Sequence, residues 1–526
     1  MRAKKLSELF SNFPFEYTPT VFSDVVVTGI AIDSRVVNPG DLFVAMRGGS
    51  VDGHAYIPMA LDKGAVAVVG QMDMSSLPVP YVRVENPRLA LTYLAAAFYD
   101  WPGRKLTVVG VTGTDGKTTT CNLIYYILVT SGLKAGMIST VNAVVGDEVL
   151  DTGFHVTTPD AHDVQRYLAK MVEAGLTHVV LETTSHGWSQ HRVDACEFDI
   201  GVVTNITHEH LDEHGSYENY RAAKARLFSS LERTGSKPQG NPRLAVINRD
   251  DRSFDFLDDF VKVNKVTYGV DAGADLQAVD IHYYPQGMRF DVKHPKFRVS
   301  IKVNLIGQYN VSNCLAALGA TVFGLDIDPE VAARGISSLP GIPGRLEVID
   351  MGQDFLAVVD FAHTPNALKV TLETGRQMTD GRVICVFGSA GLRDKEKRRI
   401  MAEISAESAD LTVLTAEDPR TESLNGILDE MGAGARSKGG REGQTFWRIP
   451  DRGEAIKFAL RLARPGDIVL SCGKGHEQSM CFGRVEHPWD DRVAMRAALA
   501  EYLGVDGPEM PYLPTQDMLE EEWLKA

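Results

Sequence analysis

Glycine, lysine and hydroxyl side chains are concentrated in residues 110–120, which read GVTGTDGKTTT. An apolar run precedes this segment, and a helical pattern follows from Cys121. Glycines let backbone N–H groups turn toward an anion, and the N-terminus of the helix adds the positive end of its dipole. Lys117 would then reach the outer phosphates of a nucleotide, and the Thr118 hydroxyl would bind Mg²⁺. We therefore predict that residues 110–119, the phosphate loop, bind a nucleoside triphosphate.

The spacing of the glycines departs from the usual P-loop pattern. The strict pattern would place a glycine at position 111, where this chain has Val111, and the nearest glycines are Gly110 and Gly113. The alternative interpretation is a glycine-rich turn that binds no ligand. The order of strand, glycines, lysine and helix favours the phosphate site.

Two further polar segments follow apolar runs that have the pattern of buried strands. Glu182 ends the run 179–181, and residues 205–215 contain three histidines within seven positions. The carboxyl ends of parallel strands face the ligand crevice of an open α/β sheet, so Glu182 could hold Mg²⁺ opposite Thr118. The histidine segment suits a metal or phosphate site. The alternatives are a surface glutamate and a polar loop with capping histidines.

Three other residues carry no function by their type alone. Lys224 lies on an apparent helix, where a lone lysine is normally a solvated charge. Asn310 and Asn313 lie three residues apart at the start of an alanine-rich helix. They could contact a nucleotide base or cap the helix, and their types alone favour the cap.

Four polar turns follow successive strand patterns in the last third of the chain, at residues 360–366, 388–395, 417–420 and 473–477. In a parallel sheet such turns share one rim. Because Arg393, Lys395, Arg420 and Lys474 lie in these turns, we predict a surface that binds carboxylates.

The composition limits the class of protein. The chain has 526 residues, 44% of them hydrophobic, and a formal net charge of −15. This charge argues against a general nucleic-acid or anionic-membrane binder. No apolar stretch approaches the ~20 residues that span a bilayer, and no signal peptide is visible. The six scattered cysteines indicate buried free thiols in a reducing compartment, so we expect a cytoplasmic protein.

The elements alternate between strand and helix patterns, which predicts an α/β protein. Breaks at residues 101–104 and 339–344 divide the chain. We predict a domain at 1–102, a central domain with a P-loop-like parallel sheet and helices on both faces at 103–342, and a Rossmann-like domain at 343–503. Residues 504–526 are predicted to be a loose tail with a short helix.

Taken together, these segments resemble the Mur ligase family, the ATP-dependent enzymes that add amino acids to the nucleotide precursor of the cell wall. The resemblance covers about residues 20–503. It rests on the phosphate loop, the segment 205–215, RAAK at 221–224, Asn310 with Asn313, PGRLE at 343–347 and DFAHTP at 360–365. Similarity to members that add the third peptide residue rests on DSR at 33–35, GDLFVA at 40–45, TTP at 157–159, SHG at 185–187, QHR at 190–192 and GKGHE at 473–477.

The resemblance implies a role for each matching position. ATP would be bound by Gly113, Thr114, Asp115, Gly116, Lys117, Thr118, Thr119, Asn310, Asn313, Arg345 and Asp360. The UDP-MurNAc-dipeptide would be bound by Ile32, Ser34, Gly49, Ser50, Val51, Thr157, Thr158, Thr184, Gln190 and Arg192. The incoming amino acid would face Arg393, Asp418, Arg420, Gly473 and Glu477. Mg²⁺ would be held by Thr118, Glu182, His210 and a carbamylated Lys224, and the catalytic residues would be Lys117, Lys224 and His210.

The implied N-terminal domain binds UDP, and the C-terminal domain binds the amino acid. The implied activity is an ATP-dependent amide ligase that adds L-lysine, L-ornithine or meso-diaminopimelate to UDP-MurNAc-L-Ala-D-Glu through an acyl phosphate. We expect a monomer that requires ATP and Mg²⁺ and that neither binds nucleic acid nor inserts into a membrane. The alternatives are a folylpolyglutamate-type ligase, a sibling Mur ligase, and a nucleotide-dependent scaffold without enzymatic activity.

This chain departs from the family pattern at four positions. Asp115 stands where asparagine is usual, Glu209 where aspartate is usual, and Thr184 where serine is usual. Asp418 stands where enzymes that add diaminopimelate have asparagine. An ionised Asp418 accepts hydrogen bonds but donates none, and it would attract a distal ammonium. This shifts the prediction toward lysine or ornithine, while Arg420 retains the option of diaminopimelate.

Overall fold

The computed structural model describes residues 2–19, 25–48, 51–74, 77–150, 157–207, 214–271, 273–284 and 287–524. The chain forms two compact units. The first contains the described residues of Met1–Val279, Asp291–Ile301 and Ser312–Ile336, and the second those of Asp280–Phe290, Lys302–Val311 and Ser337–Ala526. Within the described part of the chain, no helix is long and apolar enough to cross a bilayer.

The N-terminal part of the first unit is built on a small sheet of short, mostly buried strands. Their order is Tyr17–Pro19, Tyr81–Val84, Ala67–Gly70, Asp41–Val44 and Gly29–Ala31. All neighbours are parallel except the first pair. Helix Pro87–Phe98 covers the sheet. It begins there because Pro87 fits the first turn and the Asn86 side chain accepts the N–H groups of Arg88 and Leu89.

The larger sheet of the chain carries the phosphate loop. Its strand order is Glu148–Leu150, Ala143–Val145, Ala135–Ile138, His178–Glu182, Thr107–Thr112, Ile200–Val203, Leu244–Asn248, Asn264–Gly269, Leu276–Tyr284, Gly287–His294 and Phe297–Val303. The strands from Ala135–Ile138 to Leu276–Tyr284 are parallel. The carboxyl ends of Thr107–Thr112 and its neighbours therefore lie at one edge, where the sequence placed the polar segments.

The second unit contains another mostly parallel sheet. Its order is Glu347–Ile349, Leu356–Asp360, Ile468–Cys472, Val383–Phe387, Leu411–Leu414 and Phe446–Arg448, with only the first pair antiparallel. Strand Ile468–Cys472 is the last of these strands in the sequence, but in the sheet it lies between Leu356–Asp360 and Val383–Phe387. The α/β prediction with a large parallel central sheet is confirmed.

Helices alternate with these strands. Those of the first unit are Leu6–Phe10, Ile57–Asp62, Pro87–Phe98, Lys117–Thr130, Ala161–Glu173, Ser185–Ser189, Tyr217–Arg233 and Phe254–Phe260. Helices Tyr309–Leu318 and Pro329–Ser338 have residues in both units. Those of the second unit are Pro365–Met378, Lys395–Ser408, Leu424–Ser437, Arg452–Leu462, Asp491–Leu503 and Glu520–Trp523. All six cysteines are buried free thiols, as predicted.

The C-terminal tail differs from the loose end that was predicted. Gly504 ends helix Asp491–Leu503 in a left-handed conformation, with φ of 67°. Beyond it, Leu513 and Trp523 are 0% and 2% exposed and belong to the hydrophobic core of the second unit. The tail was expected to be loose because of its prolines and glycines, whereas the short helix predicted within it is present at Glu520–Trp523. The two apolar side chains of Leu513 and Trp523 nevertheless anchor the tail to the core, although most of its other residues are exposed.

Candidate active site

The phosphate loop joins strand Thr107–Thr112 to helix Lys117–Thr130, as the sequence predicted. Gly113 has φ of 148°, and a Cβ there would lie 1.8 Å from the Thr204 hydroxyl oxygen. Gly116 has φ of 80° and precedes the helix. Only glycine fits both positions without strain. The first N–H groups of the helix have no partner within the helix, so they are directed to an anion or to water.

Asn205 holds the loop in place. Its backbone carbonyl accepts the Thr114 N–H at 2.7 Å, and its Oδ1 accepts the Asp115 N–H at 2.9 Å. The Thr204 hydroxyl donates to the Asp115 carbonyl at 2.6 Å. The N–H groups of Thr114 and Asp115 are therefore engaged by the protein. The sequence analysis did not assign Asn205 a role, although its place at a strand end in the polar segment 205–215 was a usable signal.

Thr118 and Glu182 meet as predicted. The Thr118 hydroxyl lies 3.1 and 3.0 Å from the two carboxylate oxygens of Glu182, and both side chains are buried. The Thr140 N–H also donates to Glu182 at 3.0 Å. Buried hydroxyl and carboxylate oxygens are ligands of the kind that Mg²⁺ prefers. Thr140 was not predicted, although it follows strand Ala135–Ile138 at the same edge.

Two lysines donate to backbone carbonyls of the phosphate loop, Lys117 from within the loop and Lys224 from helix Tyr217–Arg233. Lys117 Nζ donates to the Thr114 carbonyl at 2.7 Å. Lys224 is 2% exposed, and its Nζ donates to the Gly113 carbonyl at 2.5 Å and lies 4.4 Å from the centre of the Tyr220 ring. The interpretation of Lys224 as a solvated charge, which its type alone suggested, is therefore wrong. The fold turns this face of helix Tyr217–Arg233 toward the loop.

Asn313 also lies at the loop. A Cβ on Gly116 would lie 2.3 Å from Asn313 Oδ1, and the Thr120 hydroxyl is 3.4 Å from the same oxygen. Asn310 belongs to the second unit, where its Nδ2 donates to the Ile306 carbonyl at 2.8 Å.

A second cluster adjoins Glu182 at its backbone carbonyl, whereas Thr118 contacts its carboxylate. The Thr158 hydroxyl donates to the Glu182 carbonyl at 3.3 Å, lies 3.2 Å from the Thr184 hydroxyl and accepts the Thr184 N–H at 3.1 Å. Arg192 donates to the Thr158 carbonyl at 2.7 Å and to Gln190 Oε1 at 2.8 Å. The structure therefore brings together four residues that were predicted to bind one ligand. Thr157 directly precedes this cluster and is half-buried.

The residues predicted to bind UDP are less clearly grouped. Ser34 is buried, with its hydroxyl 3.3 Å from Met59 Sδ, whereas Val51 is 51% exposed. Ile32 helps to line a cavity of about 440 Å³ beside strand Gly29–Ala31, together with Tyr99 and His162. Burial lowers the pKa of His162, which favours its neutral form.

Gly49, Ser50 and His210 lie outside the described residues. Within the described ranges, no three carboxylate, histidine or cysteine side chains form a metal-binding group.

In the second unit, Asp360 ends strand Leu356–Asp360 and contacts the loop that carries Arg345. Asp360 Oδ2 accepts the Leu346 N–H at 2.7 Å, and Oδ1 accepts the Ala362 N–H at 2.9 Å and the Thr371 hydroxyl at 3.0 Å. Asp360 thus fixes the loop that carries Arg345. The Arg345 guanidinium lies 4.3 Å from the centre of the Phe361 ring.

The predicted rim contains an ion pair that the sequence analysis did not anticipate. Lys474 Nζ lies 3.0 Å from Asp418 Oδ1 and 2.6 Å from Glu477 Oε2, and Lys474 is 0% exposed. Asp418 Oδ1 also accepts the Cys481 N–H at 2.9 Å. Arg420 is half-buried and donates to the Gly391 carbonyl at 3.1 Å, whereas Arg393 is exposed. The Asp418 carboxylate is therefore paired with the Lys474 ammonium, so a ligand at the rim would meet the two charges together.

Glu417 is a further acidic group of the rim. It is 5% exposed, and its Oε2 would lie 2.2 Å from a Cβ on Gly473, which explains the glycine at that position. Burial raises the pKa of Glu417 to about 7, although the charges of Lys397 and Arg452 oppose this shift. The carboxyl therefore titrates near neutrality, whereas an ordinary glutamate is ionised at that pH.

A buried arginine, Arg452, contacts the backbone directly before two of the rim turns. Arg452 is 0% exposed and donates to the carbonyls of Ala416 at 3.1 Å and Cys472 at 2.8 Å. Its charge is balanced by Asp491, also 0% exposed, at 2.7 and 2.6 Å. Because Ala416 and Cys472 directly precede Glu417 and Gly473, this buried pair sets the positions of two rim turns.

Comparisons with known proteins agree with this geometry. Residues 26–99 match the family model described as Mur ligase family, catalytic domain; residues 111–321 match Mur ligase middle domain; and residues 344–475 match Mur ligase, glutamate ligase domain. The chain belongs to the Mur ligase family. It is therefore an ATP-dependent ligase that forms peptide bonds, the class of enzyme that the sequence predicted.

Two relatives and one solved structure show how far the similarity extends. The chain is 45% identical over 490 residues to UDP-N-acetylmuramyl-tripeptide synthetase of Roseiflexus sp. (strain RS-1), covering 91% of this chain and 96% of that protein. It is 38% identical over 476 residues to UDP-N-acetylmuramoyl-L-alanyl-D-glutamate–2,6-diaminopimelate ligase of Geobacillus thermodenitrificans (strain NG80-2), covering 90% and 95%. A solved 2,6-diaminopimelate ligase superposes with a TM-score of 0.64 at 29% identity, covering 95% and 99%.

Proposed function

We propose that this ligase adds a diamino acid, as the third peptide residue, to UDP-MurNAc-L-Ala-D-Glu in the cytoplasm, with release of ADP and phosphate. The observation that carries the proposal is the continuity of the two clusters of the first unit. Glu182 accepts from Thr118 of the phosphate loop through its carboxylate and from Thr158 through its carbonyl. An acceptor carboxylate held at Thr158 and Arg192 would lie beside the nucleotide phosphates. The names of the relatives supply the identity of the acceptor.

The chemistry follows from the poor reactivity of a carboxylate toward an amine. An oxygen of the D-Glu carboxylate attacks the γ-phosphorus, a new O–P bond forms, and the bond to the ADP oxygen breaks. The amine then attacks the carbonyl carbon of this acyl phosphate, the C–O bond breaks, phosphate leaves, and the amine loses a proton. Lys117 and the N-terminus of helix Lys117–Thr130 would stabilise the phosphoryl oxygens, and Arg192 would orient the acceptor.

We propose that Thr118 and Glu182 hold Mg²⁺, since their oxygen atoms fit a hard cation. The cation would neutralise charge on the phosphates. His210 and a carbamylated Lys224 complete the proposed metal-binding set. Lys224 is buried beside Gly113, a place where a carbamate would bring a negative charge to the loop.

The rim of the second unit is proposed to select the diamino acid through Arg393, Asp418, Arg420, Gly473 and Glu477. Lysine, ornithine and diaminopimelate share the α-amino acid group and differ at the distal end. The distal group would meet Arg420 together with the Asp418–Lys474 pair. The Asp418→Asn variant separates the two contributions, since it leaves Lys474 and Arg420 charged and should shift selection toward a distal carboxylate.

The test is phosphate release with ATP, Mg²⁺ and UDP-MurNAc-L-Ala-D-Glu, with each of the three diamino acids in turn. We expect turnover to require the acceptor and one diamino acid, and the product to be the nucleotide tripeptide by mass. Arg192→Lys is the matched variant, which should raise the KM for the acceptor. Turnover with a folate acceptor instead, or ATP binding without amino-acid-dependent turnover, would overturn the proposal.

A further inference from the structure

The C-terminal tail, residues 504–524, packs against the core of the second unit, to which it belongs, and has no role in the activity proposed above. Trp523 is 2% exposed and lies in the core of the unit with Leu513. The last helix of the tail, Glu520–Trp523, presents this indole inward. A buried tryptophan removes a large apolar area from water, so the tail is an integral part of the fold.

Three hydrogen bonds attach the tail to the N-termini of two helices. Glu520 accepts the Asn425 N–H at 3.2 Å and the Asn425 Nδ2 at 2.9 Å, in the first turn of helix Leu424–Ser437. A carboxylate is favourable at this end of a helix. The Thr515 hydroxyl donates at 2.7 Å to Asp451, which caps helix Arg452–Leu462. These contacts place the tail in one position along the unit.

The indole of Trp523 packs on the aromatic ring of Phe482. Its ring centre lies 5.1 Å from that of Phe482 at an interplanar angle of 85°, an edge-to-face geometry that is favourable for aromatic pairs. Phe482 is 0% exposed and is the last residue of strand Ser479–Phe482. The tail therefore supports the end of this strand.

That strand in turn holds the segment 418–420 of the rim. Phe482 and Arg420 form a parallel β-bridge, in which the Arg420 N–H donates to Cys481 O at 3.1 Å and the Gly483 N–H donates to Arg420 O at 2.9 Å. The Cys481 N–H donates to Asp418 Oδ1 at 2.9 Å. Asp418 and Arg420 have φ of 42° and 53°, which is unfavourable for residues with a side chain. Such a conformation persists only where neighbouring structure imposes it.

We propose that the tail is a selectivity element and that Trp523 is its positioning residue. Trp523 fixes Phe482, the strand Ser479–Phe482 fixes the backbone of Asp418 and Arg420, and these two residues receive the distal group of the diamino acid. The inference rests on the proposed function for the identity of the ligand, and on the hydrogen bonds above for the mechanical connection. Trp523 touches no substrate and acts through Phe482.

The test compares Trp523→Ala with Leu519→Ala, which changes a 73% exposed residue of the same tail. Trp523→Ala should raise the KM for the diamino acid about tenfold, which corresponds to about 1.4 kcal/mol, and leave the KM values for ATP and the acceptor within about twofold. Trp523→Phe should recover most of the loss, and Leu519→Ala should behave as the parent protein. Glu520→Ala, which makes no core cavity, should change the same KM by a smaller factor.

A second measurement does not depend on activity. Hydrogen exchange of peptides that cover residues 418–420 and 479–483 should become faster in Trp523→Ala and Glu520→Ala but not in Leu519→Ala. Unchanged exchange there, or an equal rise of all three KM values, would overturn the inference. Absence of turnover in the parent protein with every diamino acid would instead overturn the proposed function, and hydrogen exchange would still decide whether the tail supports the rim.

Discussion

Replacing Asp491 by asparagine removes the charge that balances Arg452 while preserving the shape of the side chain. Asp491 accepts from Arg452 at 2.7 and 2.6 Å, from Trp489 Nε1 at 2.8 Å and from Ser471 at 3.0 Å. An amide can accept through one atom only, so at least one contact is lost and the guanidinium is left uncompensated in a site with no solvent access. Breaking a buried pair in this way costs about 3–5 kcal/mol.

The free energy of unfolding should therefore fall by about 3–5 kcal/mol, and the melting temperature of the second unit by roughly 6–20 °C. Urea unfolding followed by tryptophan fluorescence is a direct assay, since Trp489 lies at the pair. The control is Glu373→Gln, which removes a 3.9 Å surface pair with Lys369 and should cost less than about 1 kcal/mol. Arg452→Met in the Asp491→Asn background should recover part of the loss, because it removes the uncompensated charge.

The pH dependence gives an independent check of this pair. Burial disfavours ionised Asp491, but the Arg452 charge and the hydrogen bonds outweigh it and hold the pKa of Asp491 below its usual value. The stabilisation is therefore present above the unfolded-state pKa and is lost as the pH falls through the folded-state pKa.

A loss of unfolding free energy below about 1 kcal/mol in Asp491→Asn at neutral pH would refute the reasoning, since it would mean that Arg452 is stabilised by its carbonyl contacts alone.

Three further predictions concern Glu417 of the rim and Lys224 and Gly113 at the phosphate loop. Burial raises the pKa of Glu417 to about 7, so the contribution of Glu417 to stability is complete below the unfolded-state pKa and is lost as the pH rises through 7. In urea unfolding between pH 5 and 8.5, Glu417→Gln should abolish this loss of stability, which is at most roughly 3 kcal/mol. An unchanged loss in the variant would contradict the assignment to Glu417. Lys224→Ala should lose activity and regain part of it with added short carboxylates if Lys224 is carbamylated, and absence of rescue would count against that role. Gly113→Ala should abolish ATP binding, measured by calorimetry, because its Cβ would lie 1.8 Å from the Thr204 hydroxyl; Gly132→Ala, which meets no atom within 4 Å, is the control, and retained binding in Gly113→Ala would contradict the tight loop.

Local patterns account for what was predicted correctly. Strand and helix periods, the glycines of the phosphate loop and capping residues such as Asn86 act between neighbours in the chain, so the sequence shows them directly. The carboxyl ends of parallel strands lie at one edge of a sheet, and this rule predicted that Glu182 lies opposite Thr118, although 64 residues separate them. The α/β class and the membership of the Mur ligase family followed from these short-range signals.

By itself, the sequence determined which segments carry chemistry and on which edge of a sheet they lie, because element type and strand polarity are local properties. The tertiary structure alone decided the burial of Lys224, the pairing of Asp418 with Lys474 across 56 residues and the packing of Trp523 on Phe482. These depend on which side chains meet after the elements pack. The charge, pKa and position of a functional group are set by those neighbours rather than by its own type.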